Sequence, residues 1–347
     1  KFFDVNPTEL LNPLNLFEWL SVNSGGFPEP YTFGKRIKKI IKKNLDDYDV
    51  IHDNQSLAYE LLFFQKKKPL VTTIHHPISK DLKYQIQSTD DFFLKLLMRR
   101  WHSFLLMQKF VAKRLKKIVV PSNSSMEDIK NEFQVNENKM ERVMNGVDLK
   151  LFYPDSKIKK IPFRLVTVAS ADVPLKGLDY LLEALSDLIK VYPNISLSII
   201  GEQRKGGHTE RLIKKLNLQK RVNFFSNLNQ EDLRTTYCEA ELAVIPSLYE
   251  GFGFAAIEAM ACGVPLISTS GGALPEVVRD AGIIIPPKNT KEIYNSVDFL
   301  LSSPDKAKEL SEKALERANL KFSWETIARK LEKVYFKEME IFKRANN

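Results

Sequence analysis

From Phe163 onward, short runs of β-branched and apolar residues alternate with segments whose apolar positions recur at helical spacing. The runs Phe163–Ala169, Ser196–Ile200, Val222–Phe225, Leu242–Ile245, Pro265–Ser268 and Gly282–Ile285 read as strands. Each is followed by a polar or glycine-bearing turn and a helical pattern such as Gly177 to Val191. Six such units predict a doubly wound parallel sheet covered by crossover helices. The first half repeats the rhythm less regularly, with strands near Val50–His52, Leu70–Ile74, Lys117–Pro121 and Arg142–Met144. Two helical stretches interrupt it, Phe33–Leu45 and one continuous helix from Phe92 to about Lys116. The first 30 residues mix Asn-Pro, Gly-Gly and Pro-Glu-Pro with scattered aromatics and read as irregular. Residues 145–162, rich in lysine, proline and aspartate, read as a linker, and Ser323 reads as the cap of a long terminal helix.

The chain of 347 residues is long for one core and comfortable for two. The pattern divides it into residues 1–155, residues 156–325 and a closing helix over 326–347 that is expected to return to the first domain. Only two cysteines occur, Cys238 and Cys262, with no Cys-x-x-Cys pair and no histidine cluster, which points to a reducing cytoplasm. No apolar run approaches the roughly 20 residues of a membrane span. The net charge of +9 is uneven: residues 1–150 hold 24 Lys and Arg against 18 Asp and Glu, the remainder 28 against 25. An excess of cations favours anionic partners, and no nucleic-acid-binding module accompanies it.

Candidate chemistry concentrates between Pro246 and Pro265, where a strand end, a glycine turn and a helix follow one another. Ligands of open α/β sheets sit at such places. Gly251 and Gly253 let backbone approach a ligand, and the new helix directs N–H groups and positive dipole at an anion. Glu250 lies in the turn and Glu258 about one helical turn inside. A carboxylate can accept hydrogen bonds from two neighbouring hydroxyls, so two acids beside a phosphate-sized cradle suit a sugar nucleotide. A strand, turn and helix with merely solvated acids is the bland alternative.

Glu250 and Glu258, seven residues apart, with Pro246-Ser, Glu250-Gly-Phe-Gly and Glu258-Ala-Met-Ala-Cys-Gly-Val-Pro, resemble the E-x7-E motif of retaining glycosyltransferase family 4. The resemblance extends through Gly271-Gly-Ala-Leu-Pro-Glu276, Gly282 to Pro286, Lys176-Gly177, Asn145-Gly-Val-Asp148 and Phe322-Ser-Trp324, covering roughly residues 50–340. It implies the α/β GT-B fold, two Rossmann-like doubly wound domains facing across a cleft. It implies that Glu258 holds the donor ribose, that Glu250 and the backbone of Gly251, Phe252, Gly253 and Phe254 bind the transferred sugar, and that Lys176 binds the diphosphate. A cation beside a helix N-terminus can stabilise a departing diphosphate without a metal. In similar enzymes a histidine ending a strand of the first domain faces the sugar, which makes His75 the candidate and His76 the second, since it should point the other way.

Two departures stand out. The family usually places an arginine about five residues before the phosphate lysine, where this chain has Ala171. Arg204 or Lys205, after the strand Ser196–Ile200, is the expected replacement, and Asp172 would repel phosphate unless turned outward. The family also opens with a strand and glycine-rich loop that are not found before Val50, so the chain reads as a fragment with a short first sheet.

The expectation is a metal-independent, retaining hexosyltransferase that needs no cofactor and takes a UDP- or GDP-sugar as substrate. Its acceptor would be a glycan or lipid-linked acceptor in cell-envelope synthesis. A sugar-nucleotide epimerase, a phosphorolytic enzyme and a non-catalytic nucleotide-sugar-binding subunit share the fold and remain alternatives. The basic face of Phe92 to Lys117, with Lys35-Arg-Ile-Lys-Lys39 and Lys42-Lys43, suits either a solvated core helix or docking at an anionic membrane surface, peripheral on the inner face.

Overall fold

The computed structural model describes residues 6–87 and 89–346, and it divides into two compact units. The first runs to Val143 and takes back the chain from Lys330; the second is Met144–Arg329.

In the first unit, helices α1 (Pro13–Asn23) and α2 (Glu29–Ile41) precede β1 (Ile51–Asn54), α3 (Leu61–Phe64), β2 (Leu70–Thr73), α4 (Ser79–Gln87), α5 (Phe92–Trp101), α6 (Leu105–Ala112), β3 (Ile118–Val120), α7 (Asn123–Phe133) and β4 (Met140–Arg142). The strands form a parallel four-stranded sheet in sequence order. Its core gathers Leu61 and Phe64 of α3, Val111 and Leu115 near α6, and Ile129 and Phe133 of α7 around Leu70, Ile118 and Val120.

Of the stretch read as irregular at the start, residues 1–5 lie outside the described residues, and residues 6–30 are helical between their turns. Asn12 accepts the Leu14 N–H at 2.9 Å and Pro13 occupies the first turn of α1, so Asn-Pro is a helix start here. Pro30 likewise sits in the first turn of α2, whose range precedes the expected Phe33–Leu45. The single helix expected from Phe92 is broken. A short 3-10 turn, His102–Phe104, separates α5 from α6, and buried His102 bonds the Met98 carbonyl through Nδ1 at 2.8 Å.

The second unit comprises β5 (Arg164–Val168), α8 (Leu178–Val191), β6 (Ser196–Ile200), α9 (His208–Lys215), β7 (Val222–Phe225), α10 (Gln230–Cys238), β8 (Leu242–Ile245), α11 (Phe254–Ala261), β9 (Leu266–Thr269), α12 (Leu274–Val278), β10 (Ile283–Ile285), α13 (Thr290–Ser302) and α14 (Pro304–Phe322). The sheet is parallel throughout, in the order β10-β9-β8-β5-β6-β7. Alternation along each strand feeds two cores. In β8, Leu242 and Val244 pack with α8 and α13, while Ala243 and Ile245 pack with α11 and α14.

Residues 144–155, expected with the first domain, belong to the second: Val147 and Phe152 are buried in its core, and the Val147 N–H donates to Phe322 O at 2.7 Å. The terminal helix α15 (Trp324–Asn346) starts with Ser323 accepting the Thr326 N–H at 3.2 Å, and from Lys330 it belongs to the first unit. There Tyr335 OH bonds His52 Nδ1 at 2.6 Å and Glu338 lies 3.9 Å from Lys117. No helix among the described residues is long and apolar enough to cross a membrane.

Candidate active site

In the second unit the chain proceeds from β5 outward through β6 and β7, then returns to the other side of β5 with β8. The reversal leaves the carboxyl ends of β5 and β8 side by side, the position at which doubly wound sheets open a crevice. Three loops knit together there. The Leu248 N–H donates to Leu175 O and the Ala273 N–H to Glu250 O, each at 2.8 Å. Glycines permit this closeness: a Cβ on Gly177, which has φ +64°, would collide with the Pro246 carbonyl, and one on Gly272, with φ +65°, would strike Glu250 O.

This knot brings Lys176 to Glu250, with Nζ to Oε1 at 2.6 Å, and Ser247 Oγ donates to the same oxygen at 2.9 Å. Both charged groups are half-buried, so each offsets the other's desolvation while remaining reachable from solvent. Gly253, at φ +105°, turns the chain into α11, whose first turn has no side-chain cap. Phe252 is buried against Phe322, so its backbone rather than its ring is offered to a ligand, while Phe254 is exposed. Gly251 lies in the turn between Glu250 and Phe252.

Glu258 sits in α11 and accepts a hydrogen bond from Tyr237 OH of α10 at 2.8 Å. Burial pushes its carboxyl above the usual carboxylate range, and the Tyr237 bond only partly opposes this. The same burial, with Glu258 beside it, raises the Tyr237 phenol well above its usual value, so it stays a donor.

Arg204 and Lys205 lie exposed in the loop after β6, and neither is bonded to Lys176 or Glu250. Arg204 Nε is 3.8 Å from Asp172 Oδ2. Asp172 does not face the crevice as a bare charge. It accepts the Thr209 N–H at 2.8 Å and the Thr209 hydroxyl at 2.9 Å, tying its loop to the start of α9. Although burial opposes it, these bonds and nearby Arg204 hold its carboxyl below the usual range. Its φ of +60° is unusual for a residue with a side chain, and its bonds to Thr209, among them its own N–H donated to the Thr209 hydroxyl at 3.0 Å, hold it there.

In the first unit, β1 and β2 end together, with Asn54 in register with Thr73. His75 follows, and its Nε2 lies 2.8 Å from Asn54 Oδ1. Gln55 accepts the His75 N–H at 2.6 Å and Ser125 Oγ donates to its carbonyl at 2.6 Å, so backbone and ring are both fixed. Burial, with His76 adjacent, lowers the His75 pKa; the neutral ring donates through Nε2 and keeps its Nδ1 lone pair. His76 instead bonds Asp81 of α4 at 2.9 Å.

Sequence reasoning missed Ser247, Tyr237, Asn54 and Gln55. Ser247 was visible beside Pro246, but Tyr237 and Asn54 come from neighbouring elements whose proximity exists only in the folded sheet.

Comparisons with known proteins agree with this geometry. The family model "Glycosyl transferases group 1" matches residues 154–317, and "Glycosyltransferase Family 4" matches residues 8–151. An MMP alpha-(1->4)-mannosyltransferase of Mycolicibacterium hassiacum is 38% identical over 335 residues, 95% of this chain and 80% of that protein. A D-inositol 3-phosphate glycosyltransferase 2 of Catenulispora acidiphila is 26% identical over 84% of this chain and 71% of its own length. Among solved structures, the sucrose-phosphate synthase of Thermosynechococcus elongatus superposes with a TM-score of 0.73 at 26% identity, covering 88% of this chain and 77% of that one. Anabaena HepE in complex with UDP-glucose has a TM-score of 0.66 at 18% identity over 87% and 82% of the two chains, a likeness of fold. Two parallel α/β units, both matched by these families, and a relative 38% identical over 80% of its own length show that the chain belongs to the GT-B glycosyltransferases of family 4.

Proposed function

We propose that this chain is a retaining hexosyltransferase that takes a nucleoside diphosphate sugar, with mannose the first sugar to try, and glycosylates a hydroxyl of a saccharide or lipid-linked glycan of the cell envelope. The observation that carries the reading is the Lys176–Glu250 pair at the reversal of the sheet, with Glu258 one turn further along α11. The choice of mannose rests on the Mycolicibacterium relative's name.

An arriving diphosphate competes with Glu250 for Lys176. As the ammonium turns to phosphate, the freed carboxylate can accept hydroxyls of the sugar, so the empty site stores both binding groups as one neutral pair. Glu258 accepts the ribose hydroxyls, and the α11 N-terminus joins Lys176 in holding the diphosphate. When the bond from C1 to the diphosphate oxygen breaks, its electron pair goes to that oxygen, and this positive charge stabilises it. The acceptor hydroxyl bonds C1 from the face just vacated and gives its proton to the departing oxygen, which retains the anomeric configuration. Arg204 is the second cation, anchored by Asp172. In the first unit we assign substrate contact to His75 through its free Nδ1.

The reading needs no divalent cation, since protein groups provide the positive charge. A thermal-shift panel of UDP-, GDP- and ADP-sugars should give one stabilising donor by mass action. A transfer assay with that donor should proceed in EDTA and give product of the donor's anomeric configuration. Stabilisation without transfer would favour the non-catalytic binding subunit, and activity restored only by magnesium or manganese would overturn the metal-free step.

A further inference from the structure

Helix α5 contains no buried residue. Phe92 is 75% exposed, Leu96 51% and, beyond the 3-10 turn, Leu106 79%. With Arg99, Ser103 and Phe110 they recur at alternating steps of four and three residues, the spacing of one helical stripe. α1 lies alongside: Phe27, just beyond it, stacks on Trp101 at 5.0 Å between centroids, and Arg100 donates to Ser24 Oγ at 2.9 Å. It adds exposed Phe17 and Leu20 to the same unit. An apolar surface of this kind is uncommon on a protein facing only water.

Its charge selects the occupant. The 26 residues from Phe92 to Lys117 contain eight lysines and arginines and no acidic residue. Some of these cations are spent internally: Lys117 is buried and paired with Glu141, and Lys113 donates to Gln134 at 2.6 Å. Among the described residues, Lys95, Arg99 and Lys109 have no carboxylate partner, and Arg99 is exposed. Apolar side chains flanked by unpaired cations complement an interface of acyl chains and anionic headgroups, where long cationic side chains reach up to the headgroups. Both helices are too short to span a bilayer and suit lying along it.

We propose that the α5–α6 face, flanked by α1, docks this protein on anionic lipid by inserting Phe92, Phe93 and Leu96. The cations steer and hold it, but the apolar side chains make the contact. This differs from a cationic face acting alone, and it does not depend on the proposed transfer reaction.

Flotation with phosphatidylcholine vesicles, with and without phosphatidylglycerol, tests it without donor or acceptor. The protein should float only with the anionic vesicles. Phe92→Ser, Phe93→Ser and Leu96→Ser together leave charge unchanged and, being exposed, should leave the melting temperature unchanged. They should lower vesicle partitioning about tenfold or more. Arg99→Glu with Lys95→Glu should weaken it as well, as should high salt. Equal partitioning on neutral vesicles, or a triple variant that binds as the parent does, overturns the proposal. So does a parent dimer that fails to float and becomes monomeric in the triple variant, because a second copy then covers the face.

Discussion

The two units solve the same folding problem with different completeness. The second has six strands with helices on both faces and two cores, one on each side of the sheet. The first has, among its described residues, four strands, one core cluster, and helices that leave large apolar residues exposed. Burial on both faces fixes loops rigidly at the strand ends, which is where the charged groups of the second unit are placed. The first unit spends less of its apolar surface inside, and that surplus is what lets it meet something other than water.

The sharpest break of this contrast is at the pair that the rigid loops hold. Lys176→Ala should reduce kcat by about a hundredfold or more, the cost of removing one stabiliser of a developing anion. An unaltered rate in single-turnover measurements would remove Lys176 from the reaction. Glu258→Ala should weaken nucleotide diphosphate binding by about 1–3 kcal/mol in calorimetry.

Glu258 also sharpens the comparison through pH. Its folded pKa is raised, so the fold bears a cost once pH climbs past the ordinary carboxylate value and the group must ionise in its buried place. Glu258→Gln should therefore melt no lower than the parent at neutral pH while binding donor less well. Donor affinity in the parent should fall as pH drops through the raised value, and a flat profile down to pH 4 would contradict an ionised acceptor.

Gly177→Ala should destabilise the second unit by about 1–3 kcal/mol, since it adds a Cβ against Pro246 O at a positive φ. Chemical denaturation would register this, and a neutral result would mean that the loops are not locked.

The smallest effect belongs to the first unit. The His75 pKa is lowered, so the unfolded chain takes up that proton first, and stability present above about pH 6.5 is lost as pH falls through it. His75→Asn should flatten that part of the melting-temperature profile.

The contrast also governed what could be read in advance. Ser196–Ile200 and Leu242–Ile245 were legible to the residue because a buried parallel strand is a short apolar run ended by polar or glycine residues, and the half-buried edge strand Val222–Phe225 was legible from its valine and phenylalanines. Asn12-Pro13 and Pro30 were misread as turns, since the same residues both start helices and make turns, and only packing decides. The break at His102 depends on a side chain bonding its own helix's carbonyl, which periodicity does not record. At the candidate site, Glu250, Glu258 and Lys176 stood out by motif. The aspartate that seemed hostile to phosphate proved to be a loop fastener, because Thr209, 37 residues on, was invisible as its partner.

The division of α15 between the units has a bearing on synthesis. Met144–Arg329 is one uninterrupted stretch and can close as soon as it has left the ribosome. The earlier-made unit gains its last helix only later, when Tyr335 reaches His52 and Glu338 reaches Lys117. The part translated first is thus the part completed last.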